Sequence, residues 1–285
     1  MTTATLGDSG IVLNGIDAYG VTWALQEGSD LWGDSPAPRE VSGDRATAHG
    51  TWSATEFYGP RAWNPSLLVK APDHATLHHA RGRLDAAVGL KAFTVVGTEP
   101  FYGTRQAAYR RNNPVQWTER RGDDKGLSLA LASLSLVADD PMIRGAERTA
   151  TTGAPSSVGG LTWPTTWPAT WSAAVTSGVI RLANDGSQPS SVLWRIDGPI
   201  TDPYLIDIDT GAALRTTLTL QAGQWLTIDT ATHRVLANGD PNASRRDRLY
   251  GEWFDARPGT QQVQFGGSSP GPGALLTATY RPTWI

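Results

Sequence analysis

The chain has 285 residues, 39% hydrophobic and 18% charged, with a net charge of −3. It is too apolar for disorder, longer than one compact core requires, and carries no concentration of basic residues that would mark a nucleic-acid face. The absence of cysteine excludes disulfides and thiolate metal sites, and no apolar run is long enough to span a bilayer.

With 12 tryptophans, 31 glycines and 19 prolines, and few helical patterns, the composition predicts a mainly β protein of sandwiches or barrels with many turns, divided into two domains. The opening MTTATLGDSG has neither the basic nor the apolar region of a secretory signal. Strand-like runs follow at 11–14 (IVLN) and 18–26 (AYGVTWALQ). Residues 27–61, rich in Gly, Pro, Ser and charge, read as a long hairpin or excursion outside the core. WNPSLLVKA (63–71) reads as a strand.

One helix is expected over 72–88. Pro72 suits a first turn, Asp73 complements the dipole, and Leu77, Ala80, Leu84 and Val88 make one apolar stripe. Strands resume at 91–96, 102–111 and 115–120, and RGDDKG (121–126) turns the chain. In LSLALASLSLVADDP, Leu127, Leu129 and Leu131 have opposite parity to Leu134 and Leu136, which predicts a β-bulge near Ala132 or Ser133. Asp139-Asp140-Pro141 closes a first domain spanning 1–144. Residues 145–177 read as a linker containing GGLTWPTTWPATW. There Pro164 and Pro168 forbid a helix, and Trp163, Trp167 and Trp171 are predicted to pin an interdomain strap. From 178 to 285, short strands recur every 8–12 residues or so between turn signals, as in an antiparallel β-sandwich.

Candidate chemistry is sparse. His74 and His78 share a helical face beside His79, but alanine stands at 75 where a zinc protease needs glutamate, so no metal is expected. Asp207 and Asp209 in LIDIDTG lie two apart; the simpler reading has both facing water while Leu205, Ile206 and Ile208 fill the core. Arg121-Gly122-Asp123 reads as a solvated turn, and Asn242-Ala243-Ser244 carries little meaning without a secretory signal. No phosphate loop, dinucleotide fingerprint or nucleophile elbow is present. No catalytic residue, cofactor or enzyme activity is therefore expected. Tryptophans remain as sugar-stacking or interface candidates, with Trp194 and Trp225 reading more simply as core.

The order of LWGDSPAPRE, His49-Gly50, Tyr58-Gly59-Pro60-Arg61, the single helix and the closing DDP resembles the distal tail protein family of long-tailed bacteriophages. So do RLANDGSQPSSVLWRIDGPITDPYLIDIDTGAALR, LQAGQWLTIDTATHRVLANGD and WFDARPGTQQVQF in the second half. The form resembled is that of actinobacteriophages, and the Trp-Pro segment fits too. The resemblance covers essentially the whole chain. It implies a structural virion protein at the distal end of the tail, made in the host cytoplasm, with a homohexameric ring as its working state. In that ring the N-terminal domain is a split barrel or sandwich with one helix, and a long hairpin at about 27–61 embraces the neighbour. The C-terminal domain is galectin-like and points outwards. Implied partners are the tail tube protein, the tail-tip hub or tail-associated protein, and receptor-binding proteins, although no distinct arm for docking the last is evident. DNA passes through the lumen without specific binding, and no membrane insertion is implied. The competing reading is a carbohydrate-binding host-attachment protein, which exposed Trp rings would favour and burial of Trp194, Trp225 and Trp253 would oppose.

Overall fold

The computed structural model describes residues 2–39, 42–53, 57–120, 128–158 and 174–285. Their contacts divide the chain into two compact units, Met1–Ala146 with Ile285, and Glu147–Trp284.

In the first unit one continuous path of strands runs Gln116–Arg120, Ser128–Ser133, Ser66–Ala71, Thr22–Leu25, Val12–Leu13, Thr3–Leu6, Phe93–Glu99, Gly103–Arg111, Leu136–Ala138, Arg61–Trp63. Neighbours are antiparallel except for the single Leu13–Trp23 pair. Strand Arg61–Trp63 ends the path, yet only Asn64-Pro65 separates it in sequence from Ser66–Ala71, so the sheet must roll back on itself. Alternation explains the enclosed side: Leu67, Val69 and Ala71 are buried while Lys70 is exposed.

The single described α-helix, His74–Ala87, starts where Asp73 accepts the Thr76 amide at 2.7 Å. Leu77, Ala80, Leu84 and Val88 are all buried, so the apolar stripe in the sequence is its packing face. Arg83 of this helix reaches Asp17 at 2.6 Å. The same carboxylate accepts the Trp23 indole N–H (2.9 Å) and the amides of Tyr19 and Val21 (2.9 and 3.0 Å). One fully buried acid thus joins a turn, a central strand and the helix.

The run 128–138 corrects the expected bulge. Ala130, Ala132, Leu134, Leu136 and Ala138 are all buried, so the inward parity is unbroken; Leu129 and Leu131 lie half-buried, and Leu127 lies outside the described residues. What changes after Ser133 is the partner. Ser128–Ser133 pairs with Ser66–Ala71 in continuous register, whereas Leu136 pairs with Trp63 and Arg111. Small alanines face inwards opposite large partners such as Leu67 and Val69, and a reading weighted towards leucine inverts the faces.

The second unit is an antiparallel sandwich. A five-stranded sheet orders Arg148–Gly153, Leu275–Tyr280, Val192–Asp197, Trp225–Asp229, Arg234–Ala237. A six-stranded sheet orders Val179–Asn184, Gly259–Ser268, Ile200–Asp207, Ala213–Thr216, Leu249–Gly251, with Thr219–Leu220 beside Ile200–Asp207. Val192, Trp194, Ile196, Leu226 and Ile228 from the first meet Ile180, Leu182, Leu205, Val263 and Phe265 from the second in one core. Tyr280 spans the layers, its hydroxyl accepting the Ala183 amide at 2.8 Å. The region 145–177 is not all linker: Arg148–Gly153 pairs residue for residue with Leu275–Tyr280 as an integral strand.

Burial alone would raise the Asp17 carboxyl, but the bonds from Trp23, the Val21 amide, Arg83 and the Tyr19 amide outweigh it and hold the acid below the ordinary carboxylate value. A depressed folded value means its stabilisation is complete above the unfolded pKa of about 3.9 and is lost as pH falls through the folded value. Replacing Asp17 by Ala should therefore destabilise the first unit by about 3 kcal/mol at neutral pH in denaturant titrations followed by tryptophan fluorescence, with the difference from wild type shrinking in acid.

Candidate assembly interface

Strands Pro38–Arg39 and Phe57–Tyr58 pair, as do Ser42–Asp44 and Thr51–Ser53, forming a two-stranded hairpin whose turn is closed by the Arg45 amide on the Gly50 carbonyl at 3.1 Å. At its base the Gly59 amide donates to Ala37 at 2.8 Å. The described side chains of both hairpin segments are exposed, including Trp52 (66%), Phe57 (57%) and Tyr58 (46%). Arg45 and Arg39 lie 5.0 and 5.9 Å from the Trp52 and Phe57 ring centroids. A lone two-stranded hairpin is marginal in water, and this one buries no described side chain.

The root of the arm is built differently. Leu31 and Trp32 are buried, which corrects the reading of 27–61 as wholly outside the core. The Trp32 indole donates to Glu99, which also holds Arg105 at 2.6 Å; the Trp32 carbonyl accepts the Tyr109 hydroxyl at 3.1 Å. Trp63 donates its indole N–H to the Asp30 carbonyl at 2.7 Å and lies 5.3 Å from the Tyr109 ring. Arg61, only 3% exposed, donates to the carbonyls of Asp34 and Pro141, both at 2.9 Å. Gly33 has φ +71°, and a Cβ there would stand 2.5 Å from the Ala62 carbonyl oxygen. Only glycine lets the chain press this close to the Arg61–Trp63 strand. Burial pushes the Tyr109 phenol up to about 12 and lowers Arg61, whose Nε and one terminal nitrogen reach carbonyls while the other terminal nitrogen is buried without a partner.

The other candidates fall elsewhere. Trp163, Pro164, Trp167, Pro168 and Trp171 of the strap lie outside the described residues, as do Arg121, Gly122 and Asp123. His74, His78 and His79 are exposed on the helix, and among the described residues no three metal-ligating side chains gather. Asp207 does not face water. It is 1% exposed on the same side as Leu205, while Ile208 is 49% exposed. Its carboxylate accepts from Thr210 (2.7 Å), the Asp209 amide (3.1 Å), Gln261 (3.0 Å) and Arg257, which also holds Asp209 at 2.9 Å. Burial would raise it, but the bonds from Thr210, the Asp209 amide and Gln261, with the Arg257 charge, hold it low. These carboxylates lock a turn and form no paired-acid cleft. Asn242 sits in an exposed turn, its amide on Asp240 at 2.8 Å.

Among the described residues, Trp194, Trp225 and Trp253 of the second unit offer no bare platform. Trp194 is fully buried, 5.9 Å from Phe254. Trp253 is half-buried, stacked at 4.3 Å on His233 with Arg246 5.1 Å from its centroid. Trp225 is half-buried with Arg195 4.6 Å from its ring.

In fold the chain is similar to the Dit protein (gp 19.1) of phage SPP1, described as a paradigm of the hub adsorption apparatus in phages infecting Gram-positive bacteria. The identity is 15%, the TM-score 0.61, and the whole of both chains is covered. A chain of the phage p2 baseplate in its activated conformation with Ca aligns at 12% identity and TM-score 0.48, over 99% of this chain and 98% of that one. No curated protein matches the sequence. The likeness to the SPP1 protein defines the class of fold, a mainly β chain of two units. Residues 185–284 match the siphovirus-type tail component family, C-terminal domain.

Gly33→Ala should dislodge the root without unfolding the sheet. Limited proteolysis within 27–61 is expected to accelerate several-fold, while the second unit keeps its denaturation midpoint.

Proposed function

We propose that the protein closes into a homohexameric ring that joins the end of the tail tube to the tail-tip hub. The observation that carries this is the arm, a hairpin exposing Trp52, Phe57 and Tyr58 on a root held by buried hydrogen bonds. Aromatic surface left this exposed, with only Arg45 and Arg39 beside the Trp52 and Phe57 rings, fits an embrace of a neighbour. A ring needs each subunit to present one surface and receive it on another, by a rotation that closes. An arm reaching onto the next copy satisfies that, and its short strands offer unpaired edges to the neighbour.

The first unit then forms the ring and the sandwich its outer body. Neighbours along the tail are the tube protein on one side and hub or tail-associated proteins, including receptor-binding ones, on the other. DNA crosses the lumen without being bound, and the role is mechanical, with no reaction catalysed. On the same reading, Trp163, Pro164, Trp167, Pro168 and Trp171 act as a strap limiting the swing of the two units. Serine at all three tryptophans should speed proteolytic separation of the units while each keeps its own melting transition.

The Gly59–Ala37 hydrogen bond places the arm's two ends side by side, so residues 38–58 can be replaced by a short glycine-serine bridge. Native mass measurement is expected to give six copies for wild type and mainly monomer for the bridged variant, with unchanged circular dichroism. A wild-type protein that stays monomeric at every concentration, or a bridged variant that still forms six-copy rings, contradicts the proposal.

A further inference from the structure

Phe101, at 94%, is the most exposed large hydrophobic residue described. It stands with Tyr102 (57% exposed) at the turn joining Phe93–Glu99 to Gly103–Arg111, where Gly103 adopts φ +67°. The Tyr102 ring is braced by Arg105, whose guanidinium lies 4.3 Å from its centroid. The tip is therefore aromatic, and its two strands pair in continuous register from Phe93–Tyr109 to Glu99–Gly103.

Past the opposite end of the same strand lies a predominantly apolar pocket of about 390 Å³, lined by Leu6, Gly7, Ala86, Ala87 and Phe93 with a rim of Asp8, Ser9 and Arg83. Arg83 is a fixed wall, bonded to Asp17 at 2.6 Å and stacked 4.2 Å from the Tyr19 ring. The pocket has room for an aromatic ring. Phe101 cannot fill it within one chain, because the strand Phe93–Glu99 holds the two roughly 20 Å apart.

We propose that Phe101 of one copy seats in the Leu6–Ala86–Ala87–Phe93 pocket of the next, as a head-to-tail contact between copies of this chain. A knob and a hole at opposite ends of one hairpin are unlike surfaces, so their union is heterologous and propagates in one direction, as a closing ring requires. The area argues for a second copy already held by other contacts. Two aromatic side chains bring at most roughly 300–500 Å², whereas a stable interface buries about 800 Å² on each partner. The remainder must come from a further contact between the same two chains, which the arm with Trp52, Phe57 and Tyr58 supplies. The proposal rests on the ring reading and adds to it a defined contact and polarity.

The absence of native cysteine makes the test clean. Phe101→Cys and Ala86→Cys variants are mixed and oxidised, then run on non-reducing gels beside each variant alone and beside the double variant. Seating Phe101 against the pocket wall brings the two positions within disulfide reach. The mixture should give a covalent dimer, each single variant none, and the double variant a ladder ending at six copies. Phe101→Asp should independently weaken assembly by roughly tenfold or more. A ring that assembles without the mixed cross-link, or one that tolerates Phe101→Asp at full strength, overturns this contact and leaves the ring standing. A wild-type chain that never assembles, with no cross-link in the mixture, overturns both.

Discussion

A projecting hairpin can grip a neighbour only if its ends do not yield, and here that resistance comes from a small set of buried polar bonds. Trp32 on Glu99, Tyr109 on the Trp32 carbonyl, Trp63 on the Asp30 carbonyl and Arg61 on Asp34 and Pro141 tie residues 30–34 to strands distant in sequence. Each donor is shielded from water, so breaking one bond strands a buried polar group, which costs more than an exposed bond would. Arg61 is the extreme case: its guanidinium is buried, two of its nitrogens bond to the Asp34 and Pro141 carbonyls, and the third has no partner. Gly33 completes the root by removing the Cβ that would force the segment off the strand.

The rest of the first unit keeps those anchors still. Asp17 gathers the Trp23 indole, two turn amides and Arg83 of the helix, so the helix cannot slide without breaking a buried ion pair. Arg83 in turn walls the pocket proposed to receive Phe101. Buried charge in the first unit thus fixes the relative positions of the surfaces proposed to meet other chains. In the second unit the same economy appears at Asp207, which locks a turn with Thr210, Gln261 and Arg257 where a catalytic acid would need freedom to exchange a proton.

Strong periodicity and turn chemistry made much of this legible in the residues. Leu77, Ala80, Leu84 and Val88 announce their helix face, and alternation in VIRLAN and VLWRID announces sandwich strands. What failed did so for physical reasons. The burial of Leu31-Trp32 depends on Glu99, 67 residues further on, and no local pattern reports such a partner; the apolar pair inside a polar excursion was the available clue. Ala130 and Ala132 face inwards because the space is small, so hydrophobicity pointed to the wrong parity. Asp207 lies on the core side because hydrogen bonds satisfy it, against the rule that carboxylates face water. The order of many weak motifs still carried the family resemblance, because order constrains a whole chain where each motif constrains a turn.

The central claim is that a pre-anchored arm is the grip and assembly is what covers it. Amide hydrogen exchange, compared between the free chain and the assembled ring, addresses it directly. The account predicts that amides of Ser42–Asp44 and Thr51–Ser53 exchange fast in the free chain and slow markedly on assembly, while those of residues 30–34 are protected equally in both. Arm amides that exchange alike in the two states, or a root that becomes protected only on assembly, would contradict it.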